Sequence, residues 1–458
     1  METAENNLGK SDRIIDQENI MVNVIEHGVM PDGQTLNTAA IQNLIDQCRE
    51  AGGGTLFFPP GRYLTGGLVL CSNLTLYLEN GATLLGSGDL SHYRHWTPAP
   101  VPFHEGTEGV RAILFALDCE NIRITGQGTI DGQGALFECN RAVRAGRPRN
   151  IWFARCRDIA VDGIRLRNSG FWMQHYMKCV KVRLTNLDVW NHGGVNSDGI
   201  DIDCCRDVII NNCRIDSADD AICLKSGNDT PTENVLVTAC LTRSHCNHFK
   251  TGTESNGGFK NIMVDGLIMT PSEQTESHRG TEGADWRGAC GIAITSVDGG
   301  FLENIVIRNI QMDQVRVPFF IRLGDRGRVF SPGGVRQPVS YGRDISICNI
   351  QARGASSSTC HISGLPGTQL CNIAIENCDL QFAGGGDSAL ISREIPLNRS
   401  GYPSMEMFGS LPAYGIFARD VEALTLRNLR FRLESPDPRP ALQWRDCRRV
   451  EISGIQEI

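Results

Sequence analysis

Several aspartates lie close together in one stretch of the chain, and their spacing matters more than their number. Asp219 and Asp220 follow Asp198 by 21 and 22 residues. If the chain coils with a period near that length, these carboxyl groups stack at the ~4.8 Å spacing of neighbouring strands. Like charges at that distance raise the pKa of at least one group. A protonated acid beside an ionised base is the pair that cleaves a glycosidic bond.

Two other interpretations of these aspartates stay open on the residues alone. Asp is common in turns, and Asp207 and Asp216 fit that role. Carboxylate oxygens are also the ligands that Ca²⁺ prefers. The phrase 196–198, Asn-Ser-Asp, followed one period later by Asp-Asp at 219–220, favours a hydrolytic cluster over both. We therefore expect no metal and no cofactor.

Such stacking requires a repeat, and a short phrase does recur along the chain. It begins with Asn or Asp and continues with alternating β-branched residues, as at 207–210, 234–237 and 261–264. Leucine-rich repeats would need a Leu scaffold that this chain lacks, and propeller blades need about 40–50 residues each. The remaining solution is an all-β fold, a single-stranded right-handed parallel β-helix with one coil per repeat.

This repeat reduces the expected number of domains. The length of 458 residues suggests about three domains at about 150 residues each, but a solenoid has one continuous core. We expect a polar N-terminal extension over 1–20 and one β-helix catalytic domain over 21–458. The 50 glycines are expected to form the sharp turns of the coils.

A short N-terminal helix is expected to cover the open end of the solenoid. It begins at Thr38 and ends before the glycines 52–54. Its helical spacing aligns four residues on one apolar face, namely Ile41, Leu44, Ile45 and Cys48.

Composition excludes several partners. The net charge is −8 without any Lys/Arg block, so nucleic-acid binding is not expected. No apolar run reaches the roughly 18 residues of a membrane span.

The 18 cysteines form no compact framework and no CxxC, and we expect them to be small buried residues in a reducing compartment. Residues 1–20 lack an apolar signal core, so a cytoplasmic location is favoured, or a secreted or periplasmic one if a signal peptide was trimmed. The oligomeric state is unknown from sequence.

Four phrases of the chain resemble glycoside hydrolase family 28, the polygalacturonase and rhamnogalacturonan hydrolase family. Residues 196–201 are similar to the family's Asn-Thr-Asp-Gly-Ile-Asp, and residues 219–227 to its Asp-Asp-Cys-Ile-Ala-Ile-Lys-Ser-Gly. Residues 168–175 resemble Asn-Ser-Pro-Phe-Trp-x-x-His, and residues 252–258 resemble Gly-Ser-Glu-x-x-Gly-Gly. The resemblance extends from about Val24 to at least Arg322.

The resemblance implies inverting hydrolysis of α-glycosidic bonds in pectin-derived or related plant oligosaccharides. Asp219 would be the general acid, and Asp198 and Asp220 would hold and deprotonate the attacking water. The residues expected to bind substrate are Asn196, Asp201, Lys225, His248, Asn247, Trp172, His175, Glu254 and Arg322.

Two departures from the family pattern affect the expected substrate. Asn247 occupies the position of a family histidine, with His245 and His248 beside it. The family's Arg-Ile-Lys, which binds the galacturonate carboxylate, corresponds to Ala293-Ile-Thr295, so both cations are missing. A simple homogalacturonan polygalacturonase is therefore not expected. Lys225, Lys250 or Arg322 would replace the lost recognition, and we expect Arg322 to face a groove because it closes an apolar strand.

Two insertions without periodicity, at 270–287 and 392–414, are long enough to act as lids. If these lids close the ends of the groove and form a pocket, we expect the enzyme to be exo-acting on oligosaccharides. The competing expectations are a β-helix polysaccharide lyase, which would use a Lys or Arg base, and a non-catalytic carbohydrate-binding β-helix.

Overall fold

The structure is a computed structural model that describes residues 21–97, 99–103, 109–137, 146–274, 289–330, 334–354 and 359–458. The expected extension at 1–20 and most of the insertion at 270–287, with Trp286, lie outside the described residues.

One face of the molecule is a ladder of short parallel strands, each contributed by a successive coil. We call it the site sheet because the strands and turns that carry the predicted catalytic residues belong to it. Its twelve strands in the described residues are β4 (Leu68–Val69), β7 (Ala112–Leu117), β10 (Arg149–Ala154), β13 (Gln174–Met177), β16 (Ile200–Asp203), β19 (Ile222–Ser226), β22 (Asn247–Ser255), β25 (Cys290–Ser296), β27 (Val317–Leu323), β29 (Cys360–Ser363), β31 (Ile416–Arg419) and β33 (Leu442–Arg445).

The remaining strands form the other two sides of each coil, again in parallel ladders. Towards the C-terminus the two sides merge into single strands of up to 13 residues. These strands are β1 (Met21–Asn23), β2 (Gly54–Phe58), β3 (Gly61–Thr65), β5 (Leu74–Leu78), β6 (Ala82–Gly86), β8 (Glu120–Gly126), β9 (Thr129–Asp131), β11 (Arg157–Asp162), β12 (Arg165–Arg167), β14 (Val180–Thr185), β15 (Asp188–Asn191), β17 (Arg206–Asn211), β18 (Arg214–Ser217), β20 (Thr232–Thr238), β21 (Leu241–Ser244), β23 (Phe259–Asp265), β24 (Ile268–Pro271), β26 (Phe301–Asp313), β28 (Tyr341–Arg353), β30 (Leu370–Phe382), β32 (Glu422–Leu433), β34 (Arg448–Ser453) and β35 (Gln456–Glu457).

The core follows from the alternation of each strand. In β17, Val208 and Ile210 are buried while Asp207 and Ile209 are exposed, and the paired strand β20 repeats the pattern. Because successive coils are in register, the inward residues of all coils join one hydrophobic cluster that extends from Val22 to Ala441. The expected parallel β-helix is therefore confirmed.

The first residue of the repeated phrase has a conformational role. Asp207, Asn234 and Asn261 adopt left-handed φ angles of 61°, 56° and 54°, which Asn and Asp tolerate better than other non-glycine residues. Their side chains also join the coils, since Asn234 Nδ2 donates to Asp207 Oδ1 at 2.8 Å and Asn261 Nδ2 to Asn234 Oδ1 at 2.9 Å. The interpretation of glycine as the main turn residue was thus incomplete, because Asn and Asp occupy many of these turns.

The N-terminal helix is confirmed as α1 (Thr38–Glu50). Its four predicted apolar residues are buried in the main core, where the helix packs on β2, β4 and β5. The chain leaves it through Gly52 and Gly53, both with positive φ. Among the described residues, no helix combines the length and apolar character of a membrane span.

The described cysteines are free thiols, and most are buried. Several thiols donate to backbone carbonyl oxygens, as Cys205 does to Tyr176 at 3.2 Å. Burial raises the pKa of Cys48 to about 11 and that of Cys179 well above its ordinary value. These cysteines are neutral packing residues, as the sequence indicated.

Replacing Asn261 tests the role of the left-handed turns. Asn261→Val should lower the free energy of unfolding by about 2 kcal/mol more than Asn261→Gly, since a β-branched residue is strained at positive φ. Both variants lose the two side-chain bonds to Asn234 and Asn304, so their difference isolates the backbone. Urea denaturation measures it, and equal midpoints would contradict the explanation.

Candidate active site

The three predicted catalytic aspartates lie in turns that lead into neighbouring strands of the site sheet. Asp198 precedes β16, and Asp219 and Asp220 precede β19. The two strands pair with an offset of 22 residues, and the backbone N–H of Gly199 donates to the carbonyl of Asp220 at 2.9 Å. Asp220 therefore stacks directly on Asp198, and Asp219 lies beside it.

The carboxyl groups are close enough to act on one small molecule. A carboxylate oxygen of Asp220 lies within 4.8 Å of one from Asp198, and the same limit holds between Asp219 and Asp220. The relative exposures are 8% for Asp219, 3% for Asp198 and 2% for Asp220, so Asp219 is the most accessible. The pKa of Asp198 is raised well above its ordinary value, first by burial and then by Asp201 and Asp219. Burial thus raises the pKa of Asp198 more than the neighbouring negative charges do, although the sequence spacing of the aspartates had suggested the charges as the main cause.

Behind this cluster, a buried lysine lies close to three acids. Lys225 Nζ lies 3.4 Å from Asp201, 3.5 Å from Glu254 and 3.9 Å from Asp198. It also lies 4.2 Å from the centre of the Trp172 ring, a cation–π contact. Burial raises the pKa of Asp201 to about 7, against the opposing effect of Lys225. Burial thus raises the pKa of Asp201 more than Lys225 lowers it.

Two residues of β22, one coil above, hold Asp220. Lys250 Nζ donates to Asp220 Oδ2 at 2.7 Å, and Asn247 Nδ2 donates to Asp220 Oδ1 at 2.5 Å. Burial opposes the charged form of Lys250, but Asp220 and the neighbouring Tyr402, Cys223 and Cys246 together raise the pKa of Lys250 well above its ordinary value. Asp220 is therefore an ion-paired carboxylate with both oxygens fixed.

The carboxylates open into a pocket of about 540 Å³. Segments from distant parts of the chain form its walls. Residues 324–330 follow the site-sheet strand β27, and the insertion at 392–414 precedes the site-sheet strand β31. Tyr402 of that insertion has 56% relative exposure. Of the predicted residues, the pocket lining includes Trp172, Asn196, Asp198, Asp219, Asp220, Lys225, Asn247 and Glu254.

Four predicted substrate-binding residues do not line this pocket, although Asp201 contacts Lys225 behind it. His175 and His248 are fully buried, bonding Asp203 at 3.3 Å and Thr242 at 3.0 Å. Arg322 is also fully buried and donates to the carbonyls of Leu397 and Asn398, so the expectation that it faces a groove is wrong. The hydrogen-bond partners of Arg322 lie instead in the loop that covers this part of the site sheet.

The pocket lining also contains two arginines that the sequence motifs did not predict, Arg326 and Arg328. Both are anchored by the buried Asp298, at 2.6 Å and 3.0 Å, and Arg328 also pairs with Glu254 at 2.8 Å. Burial opposes ionisation of Glu254, yet Lys225 and Arg328 hold its pKa well below the usual range. The sequence did contain a signal for these two arginines, because the phrase Gly-Asp-Arg-Gly-Arg directly follows the apolar strand β27.

The fold and the stacked carboxylates define a parallel β-helix with a hydrolytic type of site, and comparison with known proteins identifies its family. The sequence model described as "Glycosyl hydrolases family 28" matches residues 101–389, more than half of the chain. The chain therefore belongs to this family and is a glycoside hydrolase. The resemblance inferred from the four phrases is confirmed.

Related proteins carry polygalacturonase names. A "Probable polygalacturonase" of Vitis vinifera is 27% identical over 390 residues, covering 79% of this chain and 74% of the relative. An "Exo-poly-alpha-D-galacturonosidase" of Dickeya chrysanthemi is 25% identical over 312 residues, covering 55% and 51%. The chain thus spans about half the length of the Dickeya relative.

Solved structures agree with the fold. The family 28 exopolygalacturonase of Yersinia enterocolitica has a TM-score of 0.68 at 18% identity, covering 95% of this chain and 79% of that one. The hyperthermoactive exopolygalacturonase of Thermotoga maritima has a TM-score of 0.60 at 21% identity, covering 81% and 89%. At these identities the likeness establishes the β-helix alone.

The buried acid Asp201 predicts how stability depends on pH. Its pKa in the folded protein is about 7, above the ordinary value of 3.8, so its contribution is complete below about pH 4 and is lost as the pH rises through 7. Asp201→Asn should flatten the decline of stability between pH 4 and 7 by up to about 1.4 kcal/mol per pH unit. Thermal unfolding from pH 4 to 8 measures the slope. Asp229→Asn, at an exposed site, is the control, and parallel curves for wild type and Asp201→Asn would refute the prediction.

Proposed function

We propose that this glycoside hydrolase is an inverting, exo-acting enzyme that cleaves α-glycosidic bonds in pectin-derived or related plant oligosaccharides, and that it is not a simple homogalacturonan polygalacturonase. The observation that carries the proposal is the stacking of Asp198 and Asp220, with the more accessible Asp219 beside them at one end of a pocket.

In the proposed mechanism, Asp219 donates a proton to the leaving oxygen while water attacks the anomeric carbon from the opposite face. The water loses its proton to Asp220, and a neutral Asp198 orients it. The geometry allows Asp198 and Asp220 to bind the same water. One water reaches two oxygens at about 2.7 Å each only when the oxygens are less than about 5.4 Å apart. The Asp198 and Asp220 oxygens meet that limit. The raised pKa of Asp198 and the ion pair of Asp220 support the neutral and anionic roles.

Closure of the pocket supports the exo-acting part of the proposal. On one side, Tyr402 reaches over the cluster, with its hydroxyl 3.3 Å from Lys250 Nζ. On the other side, Phe103 packs over Trp172 and His175, and its segment is tied down where Asn228 Nδ2 donates to the Pro102 carbonyl at 2.8 Å. A pocket bordered by Tyr402 and Trp172 admits a chain terminus more readily than the middle of a polymer. The name of the Dickeya relative agrees with exo action.

The charges of the pocket support a substrate other than homogalacturonan. Each of the cations in the described lining already has a carboxylate within 4 Å: Lys225, Lys250, Arg326 and Arg328. The residue that pairs with Lys250 on the next coil is Ala293 and not a cation. A galacturonate carboxylate would have to compete for donors that are engaged. A neutral sugar at the reacting position, as in a rhamnogalacturonan fragment, fits these charges better.

An assay on defined oligosaccharides tests the function. We expect the wild type to release a single terminal unit from pectic fragments with a neutral terminal sugar, with inverted anomeric configuration by NMR and no unsaturated product. Oligogalacturonides should be poorer substrates. Asp219→Asn should lower kcat by about 10² to 10⁴-fold, the usual range for a general acid, while the exposed-site variant Asp229→Asn keeps wild-type turnover.

Other outcomes would replace the proposal. Products that absorb in the ultraviolet would indicate a lyase, and binding without turnover would indicate a carbohydrate-binding protein. Random internal cleavage would contradict exo action. Full activity of a folded Asp219→Asn variant would contradict the hydrolytic site.

We also propose a cytoplasmic location, which the buried thiols of the described cysteines support. Protein isolated without reductant and then denatured should react with a thiol reagent at all 18 cysteines. A lower number that reductant restores would show disulfides and an oxidising compartment.

A further inference from the structure

Asp220 is the most tightly held carboxylate of the cluster. Its two oxygens accept from two side chains of the same strand, Lys250 at 2.7 Å and Asn247 at 2.5 Å, and the backbone N–H of Asn247 lies 3.3 Å from Oδ1. Asn247 stands where the family pattern has a histidine. Four histidines described near the site bond other groups: His175 bonds Asp203, His192 bonds Asp216, His245 bonds the Gln274 carbonyl and His248 bonds Thr242.

Two parts of the fold position the Lys250 side chain, its own strand β22 and the insertion that carries Tyr402. Its register on β22 sets it between Cys223 of β19 and Ala293 of β25. From outside, Tyr402 of the insertion accepts from its ammonium at 3.3 Å and presents its ring 5.7 Å away. Lys250 is buried at 4% relative exposure, so the surrounding solvent screens the Lys250–Asp220 attraction very little.

We propose that Lys250 is a positioning residue of the hydrolytic reaction: its permanent charge keeps Asp220 ionised and aimed at the attacking water, in place of a titrating histidine. Tyr402 secures the ammonium, so closure of the insertion over the pocket completes the base. The inference rests on the proposed function, since it assigns Asp220 as the group that takes the proton from water.

The consequence appears in the acidic limb of the pH profile. The acidic limb of kcat/KM reflects the carboxylates, and Lys250 shifts it to low pH because an adjacent cation favours the anionic form. The other titratable groups facing Asp220 are Asp198, Asp201, Asp219, Cys223, Cys246, Cys290 and Tyr402. The Lys250 ammonium is in direct contact with Asp220, at 2.7 Å.

The test compares Lys250→Met with Lys250→Arg on the best oligosaccharide substrate from the activity assay. Lys250→Met should lower kcat roughly 100-fold, the scale of a mispositioned base, change KM less than about threefold and move the acidic limb upward by about one pH unit. Lys250→Arg should restore most of the rate and the wild-type limb. Lys260→Met, an exposed lysine paired with Glu303, is the matched control and should behave as wild type.

A milder variant keeps the test valid if Lys250→Met fails to fold. Tyr402→Phe removes only the hydroxyl of a half-exposed loop residue, and it should lower kcat a few-fold with a small upward shift of the same limb. Folded Lys250→Met or Tyr402→Phe enzymes whose pH profiles coincide with wild type would overturn the proposal. An Asp219→Asn enzyme that stays fully active would instead overturn the proposed function, so the two failures are distinguishable.

Discussion

The structure depends on the register between successive coils. Because each site-sheet strand hydrogen-bonds in parallel to the next, residues 22 or 27 positions apart in sequence become direct neighbours. Asp198, Asp220 and Asn247 form one such line, and Asp201, Cys223 and Lys250 form another. A slip of one residue would turn these groups towards the core. The buried ladder of aliphatic residues prevents that slip, so the apolar interior also maintains the geometry of the polar site.

The protein can bury so many charged side chains only because oppositely charged groups lie beside one another. Lys225 faces three acids, Lys250 faces Asp220, and the Asp298 carboxylate anchors two arginines. Isolated charges at this depth would cost several kcal/mol each. The pairing leaves Asp198 as the acid with a strongly raised pKa and Asp220 as the carboxylate in an ion pair. Two identical side chains whose oxygens lie within 4.8 Å of each other thus have different surroundings, burial for Asp198 and an ion pair for Asp220.

Much of this arrangement was predictable from sequence. The recurring Asn/Asp phrase, the alternating strands and the apolar face of α1 are local patterns, and local patterns report directly on turns, strands and helices. The spacing of Asp198 from Asp219 and Asp220 correctly predicted that they meet. Some of the failures concern side chains whose partners come from loops. Arg322 was expected in a groove and is covered by residues 397–398, whereas Arg326 and Arg328 went unrecognised.

The sequence by itself thus determined the β-helix, the family and the three stacked aspartates, because these follow from periodicity and short motifs within one or two coils. Only the tertiary structure decided which residues enclose the pocket and how its charges are paired. Tyr402 meets Lys250 across 152 residues of chain, and Arg328 meets Glu254 across 74. No period relates such pairs. Their contacts depend on how irregular loops pack against the solenoid, where neither strand register nor alternation constrains the chain.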